Sequence, residues 1–192
     1  SDLLLSIATA QWQTLDARKE IHEFVDKINN IGKGFNFNKD FVLKSCLVLA
    51  DLKDVAFKVD NFSSENMKLI EEQWEGISQA VSLAVRLVAH FGFEEKTLKS
   101  TNAIIPISYF LKNKGIGEEI LNSGSHDENR KAIKEWLVRA LLRRHFGGQP
   151  DSLYPIYRKK INEGGLTFPL PTLIEHFSAT RTLEFYDEDV EN

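Results

Sequence analysis

Lys131, Glu135, Arg139 and Arg143 fall at successive i, i+4 positions, so on a helix they form one ridge. Arg144 and His145 adjoin it, and Arg158, Lys159 and Lys160 follow on the next helical segment. Guanidinium forks match phosphate oxygens, and counterion release would drive such a ridge onto nucleic acid. Arg139, Arg143, Arg144 and Lys159 are therefore the candidate nucleic-acid contacts. A plainer account competes with this one. Glu135 paired with Arg139 is an ordinary solvated-face arrangement, and cations collect at helix C-termini to meet the macrodipole.

Other chemistries fail on spacing. Gly32-Lys33-Gly34 lacks the third glycine or the Gly-Lys-Ser/Thr ending of a phosphate loop. Asn36, Asn38 and Asp40 mimic the first ligands of a calcium loop, but Phe41 replaces its turn glycine and Leu47 its final glutamate. No two of His22, His90, His126, His145 and His176 stand at i, i+4 around an acid, so no helical zinc site is encoded. Ser123-Gly124-Ser125-His126 lacks the glycine before a nucleophilic serine. Pro150-Asp151 opens like a nuclease carboxylate motif, yet no acidic-x-Lys triplet follows it, so it reads as a helix start. Asp187, Glu188 and Asp189 read as an exposed acidic helix start rather than a metal site. No catalytic residue, metal ligand or cofactor is assigned.

Composition narrows the classes further. The chain has 24 Lys and Arg against 28 Asp and Glu, a net charge of -4, which excludes a surface basic all over. Any nucleic-acid contact must be a local patch. The single Cys46 excludes an internal disulfide, which fits a reducing cytoplasm, and Leu43, Leu47 and Leu49 around it predict a buried thiol. Arg86 and His90 interrupt the best apolar run, so no membrane span is expected, and no secretion signal is visible. The opening Ser1-Asp2-Leu3-Leu4-Leu5 looks like a helix cap and first turn, and the acidic end like another helix start. We expect a piece of a longer chain, folded as a single helical domain over 1–192.

The elements that would position the ridge are helices. Met67, Ile70, Trp74, Ile77, Val81, Ala84, Val88 and Phe91 recur at steps of three and four. They predict one helix from Ser64 to Phe91, about seven turns long, capped by Ser63 or Ser64 and stopped at Gly92. Leu83, Val85 and Leu87 widen its stripe, so its second half must be buried on more than one side. Asp16 and Asn38 each precede an apolar stripe and predict two earlier helices, after a first one reaching about Trp12. Val55, Phe57 and Val59 alternate with polar residues and predict a short extended piece. Ala103 to Lys112 is apolar almost all round and predicts the helix at the centre. Further helices are expected from Asp127 to Phe146, ended by Gly147-Gly148, and from Asp151 to Asn162, with a short last piece from Phe168. The expected fold is all-α, an irregular multi-helix bundle around a long central helix, with little or no sheet.

The order of segments resembles one family. Ser1-Asp2-Leu3-Leu4-Leu5-Ser6 is followed by Phe35-x-Phe37-x-x-Asp40-Phe41 and then by Trp74 in the long helix. Phe91-Gly92-Phe93, the run Asn102 to Leu111, Lys134-x-Trp136-Leu137-x-Arg139-Ala140 and Phe168-Pro169 complete the pattern. This resembles the GmrSD-type restriction-endonuclease group, whose N-terminal region is a widespread bacterial domain. The resemblance covers nearly the whole chain and rests on packing motifs. It implies a parent protein with a ParB/sulfiredoxin-like α/β core carrying an Asp-Gly-Gln-Gln-Arg motif, tied to nucleotide-dependent cleavage of modified foreign DNA. Neither that motif, nor the family's Asn-Ser-Gly-Gly loop, nor a His-Asn-His nuclease motif occurs here. What the resemblance implies for this chain is the helical lobe alone, non-catalytic, partnered by the α/β domain of the same protein and touching DNA. A protein–protein interaction module is the competing class, with an apolar docking patch expected near Leu3, Leu4 and Ile7.

Overall fold

The computed structural model describes residues 2–184. The long helix predicted around Trp74 is present as α4 (Ser64–His90), which packs against the three helices before it and the one that follows it. Before it come α1 (Asp2–Gln11), α2 (Ala17–Asn29) and α3 (Lys39–Leu49); after it come α5 (Ile104–Asn113), α6 (Asp127–Leu142), α7 (Leu153–Glu163) and α8 (Leu170–His176). Short 3-10 turns fill several connections, and no strand occurs among the described residues. The fold is all-α. No described helix is long and apolar enough to cross a membrane.

The caps explain where the helices begin. Asp16 accepts from the Lys19 N–H (3.1 Å), Asn38 from Phe41 (2.9 Å) and Ser63 from Asn66 (3.2 Å). At the end of α4, Gly92 takes φ +96° and the Phe93 N–H returns to the Val88 carbonyl, closing a Schellman-type turn. Gly32 has a packing reason for its type. A Cβ there would stand 3.0 Å from the Ala89 Cβ, so the α2–α3 loop lies directly on α4. Glu71 of α4 ties down the α1–α2 turn, accepting from the N–H groups of Gln13, Thr14 and Leu15. Partial burial pushes its pKa up, but those three hydrogen bonds outweigh it and hold the carboxyl below its ordinary value.

Helices α1 to α3 cover one side of α4, and α5 makes its most extensive helix–helix contact. α7 packs on α5, and α8 bridges α6 and α7. Ile104, Ile105, Ile107 and Phe110 are fully buried, so α5 is the central helix expected from its composition. One hydrophobic cluster joins the layers. Trp74 organises its N-terminal part, meeting the edges of Trp12 (5.6 Å) and Phe24 (5.4 Å) while its indole N–H donates to Glu20 (3.0 Å). Phe35, Phe37 and Phe41 pack in series, and the Asn29 amide holds Phe37 by both its backbone N–H and its carbonyl. Cys46 is buried, as its leucine neighbours predict, and burial pushes its thiol up to about 12.

Three expectations need correction. The extended piece over Val55, Phe57 and Val59 does not form. Asp54 accepts from the Ala56 N–H and Asn61 donates to the Ala56 carbonyl, so side chains close a turn that leads into a 3-10 helix at Val59–Phe62. The sixth helix ends before Gly147-Gly148, because Arg144 itself adopts a left-handed φ of +49°. The apolar patch near Leu3, Leu4 and Ile7 is also smaller than expected. Leu4 is buried and Ile7 half-buried, which leaves Leu3 as the exposed member. The acidic stretch at Asp187, Glu188 and Asp189 lies outside the described residues.

Candidate functional site

The basic residues do not form one free ridge. Arg139 donates from Nε and Nη2 to Glu135 and from Nη1 to the Leu183 carbonyl (2.9 Å). It therefore bonds the residue 183 segment to α6. Arg143 is half-buried, Arg144 is exposed, and Lys159 is exposed on α7. Arg158 also works internally, donating to the carbonyls of Val48 and Leu52 (2.7 Å) at the end of α3. Beside it, the Tyr109 hydroxyl donates to Asp51 (2.6 Å) and accepts from Asn162 (3.1 Å), joining the turn after α3 to α5 and α7. Burial, with the bond to Asp51 adding to it, pushes Tyr109 up to about 12, so this phenol stays protonated. Of the four candidate contacts, Arg144 and Lys159 are the two that stand exposed.

A second polar constellation lies just behind Arg144. The Trp136 indole donates to the Tyr157 hydroxyl (2.9 Å), which lies 2.7 Å from His145 Nε2. His145 Nδ1 lies 2.7 Å from the Arg181 carbonyl. The indole can only donate and the carbonyl can only accept, so the hydrogens are fixed by elimination. Nδ1 carries the proton, Nε2 accepts from Tyr157, and every group in the chain is satisfied with a neutral imidazole. The Arg181 guanidinium returns to the carbonyls of His145 (2.7 Å) and Gly147 (2.8 Å). Burial lowers the His145 pKa to about 4; the Nδ1 bond opposes this and the Arg181 charge reinforces it. A fully buried His145 with no open face to solvent cannot serve a substrate. Its work is to bind the segment around Arg181 to the end of α6.

A groove opens elsewhere on the molecule. Between α4 and the end of α5, a half-open groove of about 480 Å³ is lined by Gly76, Arg86, Lys112, Gly115 and Glu118, with Lys27 of α2 at its edge. Arg86 holds Glu118 through both guanidinium nitrogens, and the Lys112 ammonium donates to Gln73 (2.9 Å). Gly76 is unexpected there. It lies inside the longest helix, exposed, where a Cβ would meet only the Lys112 Cε at an ordinary 3.7 Å. Packing does not demand glycine, and helix propensity opposes it. Gly76→Ala is expected to raise stability by about 1 kcal/mol, read as a later midpoint in urea with unchanged slope.

Among the described residues no group of His, Cys, Asp or Glu is arranged to hold a metal ion. No protein-family model matches the chain, and no curated protein matches it significantly. The groove residues had no common signature in the sequence. Arg86 stood out only as a charge interrupting an apolar run. The one local signal was Gly76 within a strong helical pattern.

Proposed function

We propose that this chain is the helical scaffold lobe of a DNA-targeting, phage-defence protein of the GmrSD type, acting in modification-dependent restriction without catalysis of its own. Its partner would be the α/β domain of the same protein, which would carry the nucleotide-dependent endonuclease chemistry. The observation that supports this reading is the burial of the motif residues. Phe35, Phe37, Phe41, Trp74, Ile104, Trp136 and Phe168 all lie in the shared core, as residues that build a scaffold should. Nucleic-acid contact would fall to Arg144 and Lys159, with Arg143 beside them and Arg139 as structural support. The competing reading, an interaction module without nucleic acid, draws on exposed Leu3 (60%) and Leu166 (73%), which sit on separate elements.

The test is titration of a labelled DNA duplex with wild type and with Arg144→Glu/Lys159→Glu over a salt series. Wild type is expected to bind with salt-sensitive affinity, and the double variant to lose binding about tenfold or more and flatten the salt slope by about two. Equal binding by both proteins, or none by a folded wild type, would remove DNA contact from the lobe's work.

A further inference from the structure

We propose that the groove between α4 and α5 binds a small amphiphilic anion, an apolar ring or chain bearing a phosphate or carboxylate. Its size falls within the range that encloses a small ligand rather than a macromolecular segment. Its walls combine two chemistries. Leu83, Leu111 and Ile116 supply apolar surface, while Lys27, Arg86 and Lys112 bring cations from α2, α4 and α5. Glu118 is the sole acidic residue lining it, so the local balance is positive although the chain as a whole is acidic.

Glu118 indicates what the groove accepts. Its carboxylate meets both Nη atoms of Arg86, the fork geometry that recognises a pair of anionic oxygens. Yet the Glu118 side chain is 73% exposed, on a short turn that follows Gly115 at φ +62°. An exposed ion pair of this kind contributes little to stability, so a ligand anion can displace it. The Lys112 ammonium, bonded to Gln73, adds positive charge further along the groove, toward Gly76. Gly76 completes the case. Its missing side chain lowers helix propensity where packing has room for a methyl, and what the absence achieves is an open stretch of groove beside Lys112. The site is independent of the scaffold reading.

Isothermal titration with 1-naphthyl phosphate tests it, using inorganic phosphate and 1-naphthalenemethanol as the two half-ligands. Wild type is expected to bind naphthyl phosphate saturably, one per chain, with each half-ligand weaker by at least about tenfold. Arg86→Gln is expected to weaken binding about tenfold or more, and Glu118→Gln, which removes the internal competitor, to tighten it up to about fivefold. Gly76→Leu, on an exposed helix face, is expected to fill the groove and abolish binding while circular dichroism shows an unchanged fold. Should Arg86→Gln fail to fold, Lys112→Gln takes its place. The proposal is overturned by no saturable binding to either wild type or Glu118→Gln. It is equally overturned by undiminished binding to folded Gly76→Leu, or by inorganic phosphate binding as tightly as the naphthyl ester.

Discussion

Phe110→Ala is expected to lower the unfolding free energy by about 3–5 kcal/mol, the range for deleting a fully buried phenyl ring. Phe110 has no exposed surface and lies in α5, the helix that packs against α4 on one side and α7 on another. Its ring meets Phe168 edge-on at 5.3 Å, and Phe168 in turn meets Trp136 at 5.7 Å. Truncation therefore removes the contact that passes packing from α5 to α6. Neighbours on three helices cannot all move inward, so a cavity remains and adds to the lost transfer energy. Against a total of about 5–15 kcal/mol, the loss is about a fifth or more of the stability. Urea denaturation followed by far-ultraviolet circular dichroism measures it. Leu166→Ala, at a side chain 73% exposed, is the control and should stay within about 0.5 kcal/mol of wild type. A Phe110→Ala loss below about 1 kcal/mol would mean that α5 is not the centre of the core.

That α5 should be central was legible because an apolar run flanked by polar stretches has only one stable place. The start of α4 was legible for a similar reason, since Ser63 and the Met67-to-Val88 stripe act through neighbours a few residues away. Local signals failed where a local competitor won. Asp54 and Asn61 took the backbone that the Val55–Val59 alternation assigned to an extended piece. Arg144 ended α6 in a left-handed conformation that its residue type does not announce. The sites were less legible than the helices. Arg86 and Glu118 are brought together by the turn after α5, and Lys27 reaches the same groove from α2. No periodicity marks such convergence. The basic ridge was legible as a helix face, but its spacing could not say that Arg139 donates to the carbonyl of Leu183. That carbonyl meets α6 only once the chain has folded.

Acid is expected to weaken the fold through His145 before it acts through the carboxylates. The folded protein holds this imidazole at about 4 against an ordinary 6.5, because burial opposes the charged form and Arg181 adds a like charge. The unfolded chain therefore takes up a proton first as pH falls. The sign follows: the contribution is complete above pH 6.5 and is lost progressively as pH drops toward about 4, a total of about 3 kcal/mol. The structure gives the same answer in hydrogen bonds. A second proton on Nε2 would face the Tyr157 hydroxyl, which already accepts from Trp136, and would leave that hydroxyl's own hydrogen without an acceptor. Asp2, Asp54, Glu71, Glu118 and Glu119 also have lowered pKa values, but their contributions fade only below ordinary values of 3.8 to 4.5. The interval from pH 6.5 to about 5 thus isolates the histidine, with an expected loss of about 2 kcal/mol. Urea midpoints across that interval, for wild type and His145→Gln, make the measurement. The variant starts less stable, since Tyr157 loses its imidazole partner, and its stability should then stay level where wild type falls. Parallel slopes in the two proteins would show that His145 is not the group being protonated.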